Sequence, residues 1–282
     1  MISIYFRRLR MSRLTAIGAG ILAFFALVAM MAPLLAPYDP WEFGARPLEP
    51  PSAAHWLGTN DIGQDIASEL IYSGRTSLAI GFGSAALAVT IGALIGILAG
   101  FRRGVLDESL MGLTDLVLII PAFFLAVLVM VYVEPTLWVS IILLGGMLWP
   151  GTARVVRSQV LSARKSRYVE AARALGAGDL TIMVRHILPP VIPIVLAKGV
   201  ITVATAMLMD MSLCFFGLFD PNAKSWGMMI HYAFARGGFA NGLWWWFIPP
   251  GAAVALVIFA LFLVAQGIEG KVDPRLDRVW QR

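Results

Sequence analysis

Residues 78–101 read LAIGFGSAALAVTIGALIGILAGF, a run that contains no charged residue. A helix needs roughly 20 apolar residues to cross the hydrocarbon core of a bilayer, which is about 30 Å thick. The run is therefore long enough to span a membrane. Its glycines Gly92, Gly96 and Gly100 repeat every fourth residue, a spacing that predicts close packing against another helix.

Five further stretches of the chain are similarly apolar. They are residues 15–35, 110–133, 137–155, 190–213 and 247–268. The composition agrees, because 59% of the 282 residues are hydrophobic and only 14% are charged, whereas soluble domains have roughly 25% charged residues. The sequence therefore predicts an all-α membrane protein with six transmembrane helices, and it excludes a disordered chain. The net charge of +5 does not indicate a nucleic-acid partner, because the basic residues lie between apolar runs.

Lysine and arginine are distributed unevenly about these spans. The side that holds both termini has 17 of them and the opposite side has four. Because basic residues accumulate on the cytoplasmic side of a membrane, both termini are predicted to be cytoplasmic.

The connections between the spans predict local structure. Residues 36–77 form a long external segment, and its amphipathic end, residues 62–78, predicts a helix that lies along the membrane surface. Pro150 is expected to interrupt the fourth span. Three consecutive tryptophans, residues 244–246, are typical of an aromatic belt at a membrane interface.

The main cytoplasmic connection contains residues 168–189, which read YVEAARALGAGDLTIMVRHILP. Gly176 and Gly178 can adopt the positive φ that ends a helix. Asp179 is predicted to cap a second short helix, and Pro189 suits the start of the fifth span. The pattern predicts a helix–turn–helix on the cytoplasmic face.

Six residues of this connection match the EAA signature of ABC importer permeases. They are Glu170, Ala171, Ala172, Gly176, Leu188 and Pro189. The chain resembles the oligopeptide, dipeptide and nickel branch of that family, and specifically its second permease subunit. His186 departs from the family's usual isoleucine, a change that is common in this branch.

Other segments carry the same resemblance in the same order along the chain. They are His55, Gly58, Thr59 and Asp65, then Asp115 with Pro121, then Leu213 to Leu218, Ser225 to Gly227, and finally Asp273-Pro274-Arg275. Asn60 and Gln64 stand where the family usually has Asp and Arg, and Asp210 stands where Glu is common. The resemblance therefore covers nearly the whole chain.

The resemblance implies the type I ABC importer permease fold and a set of partners. The chain would pair with a related second permease, two ABC ATPases that bind ATP and Mg, and an extracytoplasmic substrate-binding protein. It would lie in the cytoplasmic (inner) membrane of a bacterium or archaeon. No phosphate-binding Gly-x-x-x-x-Gly-Lys-Ser/Thr motif occurs in the sequence, so we expect no catalytic residue, cofactor or metal in this chain.

The same resemblance divides the chain into two parts. Residues 1–77 would hold the cytoplasmic tail, the first transmembrane helix and the external segment. Residues 78–282 would form a core permease domain of five transmembrane helices, with residues 154–189 as the coupling loop. The six signature residues are expected to couple to the ATPases.

The remaining candidate residues have more than one interpretation. Asp115 and Asp210 are candidates for a pathway or gate; the alternatives are an ion pair of Asp115 with Arg102 or Arg103, and a structural hydrogen bond of Asp210. External docking is predicted for residues that match the family. They are His55, Gly58, Thr59, Asp65 and Trp226.

Three functions remain to be compared. The first is import of a dipeptide or oligopeptide, and the second is import of nickel or a metal chelate by the same architecture. The third is a stand-alone secondary transporter that would use Asp115, Asp210 and Lys198. ATP dependence of uptake separates the third from the others, and the protease and hydrolase motifs of an intramembrane enzyme are absent from the sequence.

Overall fold

The computed structural model describes residues 13–272, with side chains described through residue 268. In chain order its helices are α1 (Arg13–Met30), α2 (Ala32–Leu35), α3 (Ile66–Arg102), α4 (Val105–Ile119), α5 (Ala122–Tyr132), α6 (Leu137–Arg164), α7 (Arg167–Ala174), α8 (Asp179–Ile182), α9 (Leu188–Phe215), α10 (Trp226–Ala235) and α11 (Trp244–Val272). A π-helical turn, Met183–Ile187, joins α8 to α9. Within the described range there is no strand, only an isolated bridge between Thr59 and Asp65. The matching Asp273-Pro274-Arg275 lies outside the described residues.

Five helical segments are long and apolar enough to cross a bilayer. They are α1, α3, α6, the continuous run Asp179–Phe215 and α11. α4 and α5 are apolar enough to count as a sixth span if they are taken together, and they bend by 74° where they meet. The bend lies at Ile120, whose φ of −80° and ψ of 122° are extended, because the residue before a proline avoids helical angles. The predicted all-α fold is confirmed, and its third span is broken before Pro121.

The separate surface helix predicted at residues 62–78 is wrong, because residues 66–78 are the first part of the long helix α3. Asp65 starts this helix: its Oδ2 accepts hydrogen bonds from the Ser68 amide at 2.8 Å and the Ser68 hydroxyl at 2.7 Å. The helix has 37 residues and a length of about 55 Å, well above the thickness of a bilayer core. The division drawn between residues 77 and 78 therefore falls inside one helix.

The fourth predicted span continues past its expected interruption. α6 runs unbroken through Pro150 and has 28 residues, nine more than the predicted stretch of 137–155. An internal proline removes one backbone hydrogen bond. α6 packs against α3 more extensively than any other pair of helices in the described part of the chain, and this packing supports it on both sides of the proline.

Glycines on α3 make this close packing feasible. A Cβ atom on Gly92 would lie 2.6 Å from the Trp149 carbonyl oxygen, and one on Gly96 would lie 2.6 Å from that of Ala153. On Gly100 it would lie 2.8 Å from the Val160 Cβ. The predicted role of these glycines in helix packing is confirmed.

The tryptophans at 244–246 do not all face a membrane interface. They form the first turn of α11, where Trp246 is 1% exposed and Trp244 is 49% exposed. Trp246 belongs to the main hydrophobic core together with Trp226 and Met229. The aromatic-belt prediction is therefore wrong for Trp246.

A buried ion pair joins the two external segments. Lys224 Nζ lies 2.9 Å from Glu69 Oε1 and donates to Gln64 Oε1 at 2.7 Å. Asn60 Nδ2 donates to the same Gln64 oxygen at 3.1 Å. The Trp226 indole adds a hydrogen bond to the Leu70 carbonyl at 3.0 Å. The segment before α10 is thus held against the external end of α3.

Replacing Lys224 by methionine is expected to destabilise the protein by about 3 kcal/mol, because Glu69 would remain buried without its partner. Thermal unfolding of the purified chain in detergent measures the loss. The matched control is the double variant Lys224→Met with Glu69→Leu, which removes both charges and should recover much of the stability. A single variant that melts at the wild-type temperature would contradict this role of the ion pair.

Candidate coupling loop and pathway residues

A hydrophobic cluster supports the loop that is predicted to be cytoplasmic. Val169 of α7, Ile182 of α8 and Ile187 of the π-helical turn are each at most 1% exposed. They pack against Val156 and Val160 of α6. Because apolar side chains from both halves of the loop share one core, α7 and α8 are fixed to α6 as a unit.

The turn between α7 and α8 differs in detail from its prediction. Gly176 has a φ of +83° and follows the end of α7, as expected. Gly178 instead has a φ of −67° and occupies the N-cap position of α8. Asp179 is the first helical residue and makes no capping hydrogen bond, so its predicted cap is wrong. Its carboxylate lies 3.7 Å from the Arg173 guanidinium.

The fifth span does not begin afresh at Pro189. Helical backbone runs from Asp179 through the π-helical turn to Phe215. Pro189 lies in the first turn of α9, where the missing amide hydrogen costs little. The second half of the loop, α8, and the fifth span are consequently one continuous helical segment of 37 residues.

The outward face of the loop combines polar and apolar groups. Glu170 and Ala171 are exposed on α7, and no atom lies within 4 Å of a Cβ built on Gly176. Leu175 is 88% exposed and Leu180 is 70% exposed. We call these five residues the loop surface. Sequence patterns did not identify Leu175 and Leu180, although an apolar residue on each side of a glycine turn was a usable signal.

The six signature residues separate into two groups. Glu170, Ala171, Ala172 and Gly176 lie on α7 or directly after it. Leu188 and Pro189 lie in the first turn of α9 and are half-buried. The first group is largely exposed, and the second lies at the base of the loop.

Two ion pairs join α4 to α6. Arg157 Nε and Nη2 donate to the two carboxylate oxygens of Asp107 at 2.6 and 2.7 Å. Arg154 Nη2 lies 2.6 Å from Asp115 Oδ1, and both side chains are more than half exposed. The expected ion pair of Asp115 exists, but its predicted partners Arg102 and Arg103 are wrong.

Asp210 is a buried carboxylate without a partner. It is 6% exposed and borders a small cavity whose lining includes Thr76, Ser140 and Ser225. It makes no hydrogen bond or ion pair with any other residue from 13 to 268. The described structure therefore gives the structural hydrogen-bond alternative no support.

The five predicted docking residues lie largely inside the external segment. They are His55, Gly58, Thr59, Asp65 and Trp226. His55 Nδ1 lies 3.0 Å from Asp65 Oδ1, and the Thr59 hydroxyl donates to the Arg46 carbonyl at 2.6 Å. The contacts stabilise the segment, whereas neighbouring Trp56 is 66% exposed. Direct docking by the five residues stays a prediction.

Several sulfur and imidazole side chains, which are of the types that can bind a soft metal, lie in packed surroundings. Met228 and Met229 are at most 2% exposed, as is Cys214. His231 Nδ1 lies 2.9 Å from the Phe215 carbonyl oxygen. Among the described residues, no group of three or more His, Cys, Asp or Glu side chains is placed to hold a metal ion.

Comparison with known proteins identifies the family to which the chain belongs. Residues 92–278 match the sequence model of the binding-protein-dependent transport system inner membrane component, and residues 2–51 match that of the N-terminal TM domain of oligopeptide transport permease C. The chain is 30% identical to the dipeptide transport system permease protein DppC of Bacillus subtilis, over 96% of this chain and 85% of that protein. It is 32% identical to the oligopeptide transport system permease protein OppC of B. subtilis, over 96% and 88%. It is 33% identical to the probable D,D-dipeptide transport system permease protein DdpC of Escherichia coli, over 95% and 89%. The chain thus belongs to the family of binding-protein-dependent transport system inner membrane components and is a permease subunit.

Proposed function

We propose that this permease subunit forms half of the pathway of an ATP-driven importer for dipeptides or short oligopeptides. The exposed loop surface on a rigid support carries the proposal, together with relatives named as dipeptide and oligopeptide permeases. The partners would be a related second permease, two ATPases that bind ATP and Mg, and an external binding protein. The complex would lie in the cytoplasmic membrane, with both termini of this chain in the cytoplasm.

The loop surface is the proposed contact with an ATPase. Leu175 and Leu180 are the most exposed of the large apolar side chains in this loop. Burial of a leucine removes about 2 kcal/mol of unfavourable hydration, so a partner with an apolar cleft would bind here. Glu170 lies beside them and could pair with a basic group of that partner.

Continuity of the helix provides the proposed coupling. A displacement of α7 and α8 is transmitted to α6 through the cluster around Val156 and Val160. It is transmitted to α9 through the π-helical turn, without an intervening flexible loop. Movement of the ATPases would therefore rotate α6 and α9 together, as in transporters that alternate access by rigid-body motion.

Asp210 is our candidate for a residue that acts in the pathway. A buried carboxylate without a partner is costly in a membrane helix and marks functional sites. Asp115 is proposed instead to hold α4 against α6, because Arg154 neutralises it.

The test is uptake of radiolabelled Ala-Ala by the purified complex in lipid vesicles. We expect accumulation that requires ATP and the binding protein and is blocked by vanadate. Replacing the peptide by ⁶³Ni²⁺, alone or with histidine as chelator, is the matched control and should give no uptake. Nickel uptake without peptide uptake would establish the metal alternative, and uptake without ATP would contradict an importer driven by ATPases.

A further inference from the structure

Lys198 places a positive charge against α6 on the membrane-spanning part of α9. Its Nζ lies 3.8 Å from the position of a Cβ built on Gly151 of α6. Gly151 lies three residues before Arg154, about 4.5 Å along the helix. The ammonium group is therefore close to the point where the apolar part of α6 gives way to charged residues.

This charge is not neutralised by its own chain. In the range 13–268, Lys198 Nζ has no hydrogen bond and no ion pair, and its side chain is only half-buried. By contrast, the two neighbouring arginines of α6 are both paired, Arg154 with Asp115 and Arg157 with Asp107. An unpaired charged group on a membrane-spanning helix faces a partner, a ligand or water rather than lipid.

Lys198 lies at one end of a polar stripe on α9. Thr205 and Ser212 follow at intervals of seven residues, which places all three on one face of the helix. Each hydroxyl donates to the carbonyl four residues earlier, Thr205 to Ile201 at 3.0 Å and Ser212 to Leu208 at 2.8 Å. Their oxygens remain free to accept hydrogen bonds from a passing solute.

The adjacent face of α6 is also unsuited to lipid. Arg154 of α6 and its ion-pair partner Asp115 of α4 are both more than half exposed. Only Lys198 lies within 4 Å of a Cβ built on Gly151. Exposed charges beside a glycine, which has no side chain to fill the space, indicate a water-filled surface that could hold a ligand.

We propose that Lys198 is a substrate-binding residue of the translocation pathway and that it binds an anionic group of the solute. For the peptide substrate proposed above, on which this inference rests, that group is the C-terminal carboxylate. An ammonium offers three donors and a full charge, so it can hold a carboxylate that has left its hydration shell. The hydroxyls of Thr205 and Ser212 continue the polar path toward the external end of α9.

The test removes the charge of Lys198 by substitution and then restores it by chemical modification in the assembled complex. We expect Lys198→Cys, in a Cys214→Ala background, to lower ATP-driven Ala-Ala uptake about tenfold, the size expected for one hydrogen bond between charged groups. Reaction of the new thiol with aminoethyl methanethiosulfonate adds an ammonium and should restore most of the uptake. Reaction with sulfonatoethyl methanethiosulfonate adds an anion and should not. Leu196→Cys is the matched control: it is 57% exposed, two residues away on a different face, and should transport normally.

Three results would overturn the inference. Uptake by Lys198→Cys could equal that of the background protein, or both reagents could restore it equally. The variant could also lose the second permease on purification, which would show that Lys198 pairs with an acidic residue of that subunit. If the complex with Cys214→Ala alone did not transport Ala-Ala, the proposed peptide substrate would be wrong instead. In that case, faster labelling of the Lys198→Cys thiol than of the Leu196→Cys thiol still decides whether position 198 faces water.

Discussion

Replacing Gly96 by leucine is expected to prevent formation of the folded permease. The new Cβ would lie 2.6 Å from the Ala153 carbonyl oxygen and 2.8 Å from the Val156 Cβ. Neither atom is the end of a flexible side chain, so α3 and α6 would have to separate along their whole contact. The cost exceeds the roughly 1–3 kcal/mol of ordinary overpacking. Fluorescence-detected size-exclusion chromatography of a fusion protein, before and after heating, measures the loss of the folded peak.

Gly112→Leu is the matched control for this change. Gly112 also lies inside a helix, α4, but no atom lies within 4 Å of its built Cβ. Leucine has the higher helix propensity, so this variant should melt at or above the wild-type temperature. Gly96→Ala should lie between the two. Equal melting temperatures for Gly96→Leu and Gly112→Leu would show that the contact between α3 and α6 does not require glycine.

Sequence patterns predicted the features that depend on short stretches of chain. The apolar length of residues 78–101 predicts a span because a bilayer has a fixed thickness. The four-residue spacing of Gly92, Gly96 and Gly100 predicts a packing face because it follows from helical geometry alone. The positive φ of Gly176 was likewise predictable, since few other residues adopt that conformation.

Features that depend on tertiary packing were predicted poorly. Residues 62–78 have an amphipathic pattern, yet residues 66–78 form the first part of the long helix α3 and not a separate helix. Asp115 pairs with Arg154 rather than Arg102, because α4 lies beside α6. The distance along the chain gave no information about that neighbour.

The candidate site was also only partly predictable from sequence patterns. The sequence indicated Glu170 and Gly176 through their resemblance to a signature, but the exposure of Leu175 and Leu180 required the structure. The sequence indicated Lys198 only as a residue that a stand-alone secondary transporter would use. Its position beside Gly151 follows from how α9 packs on α6, which no pattern within α9 reveals.

Replacing Leu175 by aspartate is expected to abolish ATP-driven uptake and leave the permease folded. Leu175 is 88% exposed, so the change costs the isolated chain almost no packing. In the proposed complex it would place a charge in the apolar cleft of an ATPase, a loss of about 3 kcal/mol or more than a hundredfold in affinity. Co-purification of the ATPases and uptake of Ala-Ala measure the effect, and thermal unfolding of the permease alone measures folding.

Val105→Asp is the control, because Val105 is 80% exposed at the turn between α3 and α4 and lies outside the loop surface. This variant should retain both ATPases and normal uptake. If Leu175→Asp also co-purified normally with the ATPases, the proposed contact would be contradicted.

Gly176→Ala distinguishes loss of the ATPase contact from a change in the shape of the turn. Its methyl group meets no atom within 4 Å, but a φ of +83° costs an alanine about 1 kcal/mol. We expect a several-fold loss of uptake with the ATPases still bound, because the turn would change shape while the leucines that bind the partner remain.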